Sequence, residues 1–142
     1  MKLVDANVLL YAVNEDAEHH ATARGWVDEA LSGGATVGFA WVPLLAFLRL
    51  STRHGLFPRP LALHDALAAV DDWLTAPAAE IVHPTPRHPL VLRRLLEAVG
   101  PGANLVNDAH LAALALEHHA EVVSYDNDFA RFPGVVWERP RT

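Results

Sequence analysis

Four aspartates set the chemistry that this chain could perform: Asp5 in VDAN, Asp108 in NDAHLAALAL, and Asp126 and Asp128 in SYDNDF. Each has an ordinary duty when taken singly. An aspartate at a strand end turns the chain or caps the next segment. One in the first helical turn gains roughly 0.3–1 kcal/mol from the helix dipole, and an Asp-Asn-Asp run makes a polar turn. Gathered in one place, however, carboxylates repel one another, and a divalent cation is the usual remedy. Hard oxygen donors without nearby histidine or cysteine favour Mg2+, with Mn2+ as a second choice. Such an ion lowers the pKa of a bound water and offsets charge on a leaving oxygen, so phosphodiester hydrolysis is the reaction expected of these acids together.

The surrounding elements must bring these residues to one edge. The apolar run MKLVDANVLLYAV reads as a buried strand with Asp5 at or near its carboxyl end. Ala23, Trp26, Val27, Ala30 and Leu31 form a helical stripe that Gly33-Gly34 ends. Thr36–Ala40 reads as a strand, and Pro43–Arg53 as a helix with proline in its first turn, where a missing N–H costs nothing. A further helix places Leu63, Leu67, Val70 and Leu74 inward and Asp71-Asp72 outward. Glu80–His83 is predicted as a strand and Leu90–Val99 as a helix with Arg93-Arg94 outward; Gly100-Pro101-Gly102 then breaks the chain. The spacing next predicts a helix over 105–118, a strand over 121–124, an Asp/Asn turn and a short last strand over 135–137. Asn104 sits one turn before Asp108, as N-cap or as a further polar ligand. Strands alternating with helices indicate a mainly parallel sheet covered on both faces, a single α/β domain over residues 1–142. In such folds ligands collect outside the carboxyl ends of the strands, the address shared by Asp5 and the 126–128 turn.

Composition narrows the function classes. The 142 residues, 51% hydrophobic, are enough to bury a core without staples, and no cysteine is present, which excludes disulfide and thiolate-zinc frameworks and is compatible with a cytoplasmic setting. A net charge of −6 argues against a general nucleic-acid coat protein but not against a local basic track. Lys2 is the single lysine among 11 bases, so phosphate contacts would fall to arginine, with Arg49 and Arg53 the candidates. The nine histidines fall in no convincing ligand pattern: His19-His20 and His118-His119 point to different sides of a helix, and the spacing of His110 from Asp108 turns it away from that acid. The N-terminal apolar run is too short and too soon interrupted by Asp5 and Asn7 to span a membrane. Trp26, Trp73 and Phe47, at helical spacing, read as core or dimer contacts rather than base-stacking platforms.

DANVLLYA, LLAFLRLSTRHGLFPRP, NDAHLAALAL and SYDNDFARFPG, in this order, resemble the PIN-domain ribonucleases and, within them, the VapC toxins of bacterial toxin–antitoxin pairs. The resemblance implies a three-layer α/β/α domain, Mg2+- or Mn2+-dependent cleavage of RNA, often at one structured site in tRNA or rRNA, a homodimer, and a cognate antitoxin that occludes the site. Asp5 then matches the family's first acid, Asp108 the third and Asp126 the fourth, with Asp128 as a nearby helper, while Asn7 and Ser124 match small polar residues that hydrogen-bond around the metal. The second acid does not match: its position is Ala46, three residues before Arg49, and no carboxylate lies between Ala30 and Asp65. That departure keeps a second expectation open, a PIN-like module that binds RNA or antitoxin with little or no turnover. A phosphatase of the haloacid-dehalogenase type ranks below both, because its second aspartate would fall where Asn7 stands.

Overall fold

Strands of two or three residues are interspersed with longer helices along the chain, and the computed structural model describes residues 1–101 and 105–141. The strands are β1 (Lys2–Val4), β2 (Val37–Phe39), β3 (Ala79–Ile81), β4 (Glu121–Val123) and β5 (Trp137–Glu138). They form one sheet of order β3-β2-β1-β4-β5 in which every pairing is parallel. The helices are α1 (Ala6–Val13), α2 (His20–Ser32), α3 (Trp41–Ser51), α4 (Leu63–Thr75), α5 (His88–Val99) and α6 (Val106–Glu117). A 3-10 helix over Asn127–Arg131 follows β4.

Side chains alternate across the pleat and divide the interior into two cores. Val4, Val37, Phe39 and Val123 face a layer built from α1 to α4, whereas Leu3 and Val122 face α5 and α6 together with Phe129 and Phe132. This is the three-layer α/β/α arrangement expected. Chain order reverses at β1: β2 and β3 build outward on one side, then the chain returns through α5 and α6 to place β4 on the other. The carboxyl ends of β1 and β4 therefore flank the switch point at which such sheets bind ligands.

Two expectations need correction. The run through Val13 is a strand only as far as Val4; Ala6–Val13 is a helix. A short apolar run buried on all sides has no polar face to betray its period, so strand and helix look alike in sequence. Asp5 decides the matter locally, because its side chain accepts the Ala6 N–H and starts α1. In α4 the inward face is Ala66, Val70 and Trp73, and Leu63 and Leu67 are 60% and 44% exposed. Trp73 sets that rotation: its ring stacks on Phe39 and meets Phe47 edge-on at 4.9 Å, and the largest apolar surface wins the burial. Elsewhere elements shift by a residue or two, as ends do. No helix among the described residues is long and apolar enough to cross a membrane.

Candidate metal centre

Asp5 is the residue on which two strands and a helix converge. It leaves β1 in extended geometry and caps α1, with Oδ1 accepting from Ala6 N at 2.7 Å. Oδ2 accepts from Ser124 Oγ at 2.7 Å and from Asn7 Nδ2 at 3.3 Å. Ser124, fully buried just past β4, in turn accepts from Asn7 Nδ2 and from Asp126 N, each at 3.0 Å. Asn7 Oδ1 takes the Tyr125 N–H at 3.0 Å. The ends of β1 and β4 are thus laced together, and the lacing fixes the Asp5 carboxylate.

Asp126 caps the 3-10 helix, its Oδ1 accepting from Asp128 N at 2.8 Å. Asp108 lies in the first turn of α6 and comes up to the same edge. One carboxylate oxygen from each of Asp108, Asp126 and Asp128 lies within 4.8 Å of the others. The tightest triple therefore contains Asp128, the residue cast as a helper, and Asp5 stands beside it. Asn104 falls outside the described residues, and the N-cap position of α6 is Leu105, which offers no side-chain cap.

This arrangement is uncomfortable for four acids. Burial, then the charges of Asp5 and Asp126, a hydrogen bond with Asp126 and the charge of Asp128 push the Asp108 carboxyl from 3.8 up to about 7. Asp5 is pushed up as well, by burial first and by Asp126, against the lowering effect of its bonds from Ser124 and Ala6. A helix dipole worth roughly 0.3–1 kcal/mol cannot offset such crowding, so capping accounts for the backbone contacts of Asp5 and Asp126 but not for Asp108. Among the described residues the only basic group on the cluster is Arg131, 3.9 Å from Asp128. The donors are all hard carboxylate oxygens, which suits a divalent cation of the magnesium type.

Ala46 is half-buried on α3, which packs against α1. Arg49 and Arg53 further along are both exposed. Sequence reasoning missed a second polar cluster. The fully buried carboxylate of Glu117 accepts from Thr85 N at 2.9 Å, Thr85 Oγ1 at 2.6 Å and His88 Nδ1 at 2.6 Å, and His88 Nε2 lies 3.0 Å from His110 Nδ1. His110 is thereby held towards α5 and away from Asp108. The signal lay in the spacing of His110 and Glu117, seven residues apart and so on one face of the helix, with only alanine and leucine between them.

This fold and site match a known class. A model of the PIN domain matches residues 2–135. The chain is 64% identical over 140 residues to Ribonuclease VapC37 of Mycobacterium tuberculosis, covering 99% of this chain and 97% of that one. It is 36% identical to Ribonuclease VapC33 of the same species, covering 99% and 98%. The solved structure of M. tuberculosis VapC20, described as a Sarcin-Ricin loop cleaving toxin, superposes with a TM-score of 0.71 at 20% identity, covering 99% of this chain and 100% of that one. VapBC2 from Rickettsia felis, bound to a DNA fragment from their promoter, superposes with a TM-score of 0.69 at 18% identity, covering 97% of each chain. The chain belongs to the PIN-domain family, in its VapC branch.

Proposed function

We propose that this chain, acting as a single PIN domain in the cytoplasm, is a divalent-metal-dependent endoribonuclease and the toxin of a type II toxin–antitoxin pair. The observation that carries the reading is the close approach of Asp108, Asp126 and Asp128 with Asp5 beside them. Its relatives are named as VapC ribonucleases, and several of its structural neighbours were solved as toxin–antitoxin complexes, which supports a cognate antitoxin as partner. A structured RNA, tRNA or rRNA, is the substrate, and the exposed Arg49 and Arg53 are assigned to its phosphates. A second copy of the chain completes a homodimer.

Asp5, Asp108 and Asp126, helped by Asp128, would hold Mg2+ or Mn2+. When bound, the ion supplies an activated water and charge compensation at the phosphorus. The residues of the chain do the positioning. Ser124 and Asn7 hold the Asp5 carboxylate through Oδ2, and the Ala6 N–H holds it through Oδ1. Asp126 is held by the turn it caps, and Asp108 is carried rigidly on α6. Buried surroundings strengthen every one of these electrostatic contacts.

The test is cleavage of total RNA by pure protein with Mg2+, beside Asp5→Ala and Asp108→Ala. Wild type is expected to cut and both variants to lose activity; equal cleavage by all three overturns the reading. The alanine at 46 favours a second reading, a module that binds RNA or antitoxin without turnover. That reading requires wild type to bind RNA and leave it intact, with activity appearing in Ala46→Glu.

A further inference from the structure

Behind the acidic cluster, on the α1 side of the sheet, three aromatic rings meet in a way that the metal chemistry does not use. The His19 and Tyr125 rings stack with centroids 4.5 Å apart and planes 15° apart. Tyr11 meets Tyr125 edge-on at 5.2 Å and lies 5.6 Å from His19. Tyr125 is the residue between Ser124 and Asp126, and Tyr11 lies on the helix that Asp5 caps, five residues and so about 8 Å along it from Ala6. Two rings of the stack are thus built on the elements that carry Asp5 and Asp126, and the third comes from the start of α2.

A cavity of about 410 Å3 opens beside it, lined by Tyr11 and His19, by Asn14, Asp16 and Glu18 of the α1–α2 connection, and by Leu56 to Pro58 across from them. His19, covered by Tyr125 on one face, borders this space. One feature tells against mere packing. The Tyr125 hydroxyl is buried with no hydrogen-bond partner, a defect that phenylalanine would avoid while filling the same space.

We propose that this cavity is a nucleobase subsite, which seats an unpaired base of the substrate on His19 beside the scissile phosphate. It rests on the ribonuclease reading for the identity of the substrate. No lysine or arginine lines the cavity, so it does not suit a phosphate, whereas an aromatic floor suits the flat face of a base splayed from single-stranded RNA. At the rim Asp16 is engaged by Arg59, whose Nη2 lies 3.3 Å from Oδ1 and 3.4 Å from Oδ2, which leaves the exposed Glu18 carboxylate to accept from a base. Its two oxygens favour guanine, whose N1–H and N2–H2 present two donors on one edge, and disfavour uracil, whose single N3–H is flanked by two carbonyls.

The experiment compares wild type, His19→Ala and His19→Phe on a random-sequence RNA pool, reading KM and the bases flanking each cut. It is paired with NMR titration of guanosine and uridine monophosphates into metal-free wild type, which needs no cleavage. In His19→Ala, KM should rise roughly tenfold, the size of one lost base–aromatic stack, and the guanine preference should flatten; His19→Phe should keep most of the affinity. Guanosine monophosphate should shift the ring resonances of His19, Tyr11 and Tyr125 saturably, and uridine monophosphate far less. If wild type cuts RNA and His19→Ala cuts it with the same KM and the same flanking bases, the subsite is refuted while the nuclease stands. If wild type cuts nothing or His19→Ala fails to fold, the titration decides: shifted rings uphold the subsite and unmoved rings overturn it.

Discussion

Replacing Asp108 by asparagine should stabilise the metal-free protein while removing its activity. The rise of the Asp108 carboxyl from 3.8 to about 7 corresponds, at about 1.4 kcal/mol per pKa unit, to ~4 kcal/mol of differential interaction. The side chain is partly exposed, and solvent screening reduces this to ~2 kcal/mol. Asparagine also forfeits the helix-dipole benefit of a carboxylate, ~0.5 kcal/mol, leaving a net gain of ~1.5 kcal/mol. The sign follows from linkage. A carboxyl raised in the folded state favours folding fully below its unfolded pKa of 3.8, and loses that contribution as pH rises towards 7. Wild type therefore weakens relative to the variant as pH rises. In thermal melts with EDTA, Asp108→Asn should exceed wild type by about 4 °C at pH 8 and by about 1 °C at pH 4, at about 3 °C per kcal/mol for a domain of this size. A variant no more stable than wild type at pH 8, or an offset that does not change with pH, would refute the claim that these acids press on one another.

Mg2+ should reverse that order. At a hundredfold excess over its dissociation constant it adds ~2.7 kcal/mol to wild type, so melts in saturating Mg2+ should place wild type above Asp108→Asn. Glu117→Gln should cost about 1–3 kcal/mol, because the half-buried Thr85 and His88 donors lose a charged acceptor, seen as a lower urea midpoint with an unchanged m-value. Ala46→Glu should tighten Mg2+ binding by calorimetry; unchanged affinity would mean that position 46 does not face the ion. Arg49→Ala should weaken RNA binding alike for all sequences and flatten its salt dependence by about one phosphate contact.

Much of the architecture was legible because strands and helices alternate with clear breaks. Gly33 and Pro77 ended their helices in the sequence as in the structure. Asp5, Asp108 and Asp126 could be brought together because parallel sheets present their strand ends at one edge. What escaped depended on rotation and distance. Whether Leu67 or Trp73 turned inward hung on the partners Phe39 and Phe47, which come from other elements. The closeness of Asp128 followed from the 3-10 turn that Asp126 caps. The burial of Glu117 depends on Thr85 and His88, about thirty residues earlier, which close over it.

The lacing of Asp5 to Ser124 spans 119 residues of chain, and it dictates the order in which the protein can become dangerous. During synthesis β1 emerges first but waits with one edge open until β4 arrives, since β4 is its partner on that side. Asp5 has neither its serine nor Asp126 and Asp128 before then. A nascent chain halted anywhere short of Asp126 lacks two of the four acids, and the site assembles only after β4 has emerged and folded against β1.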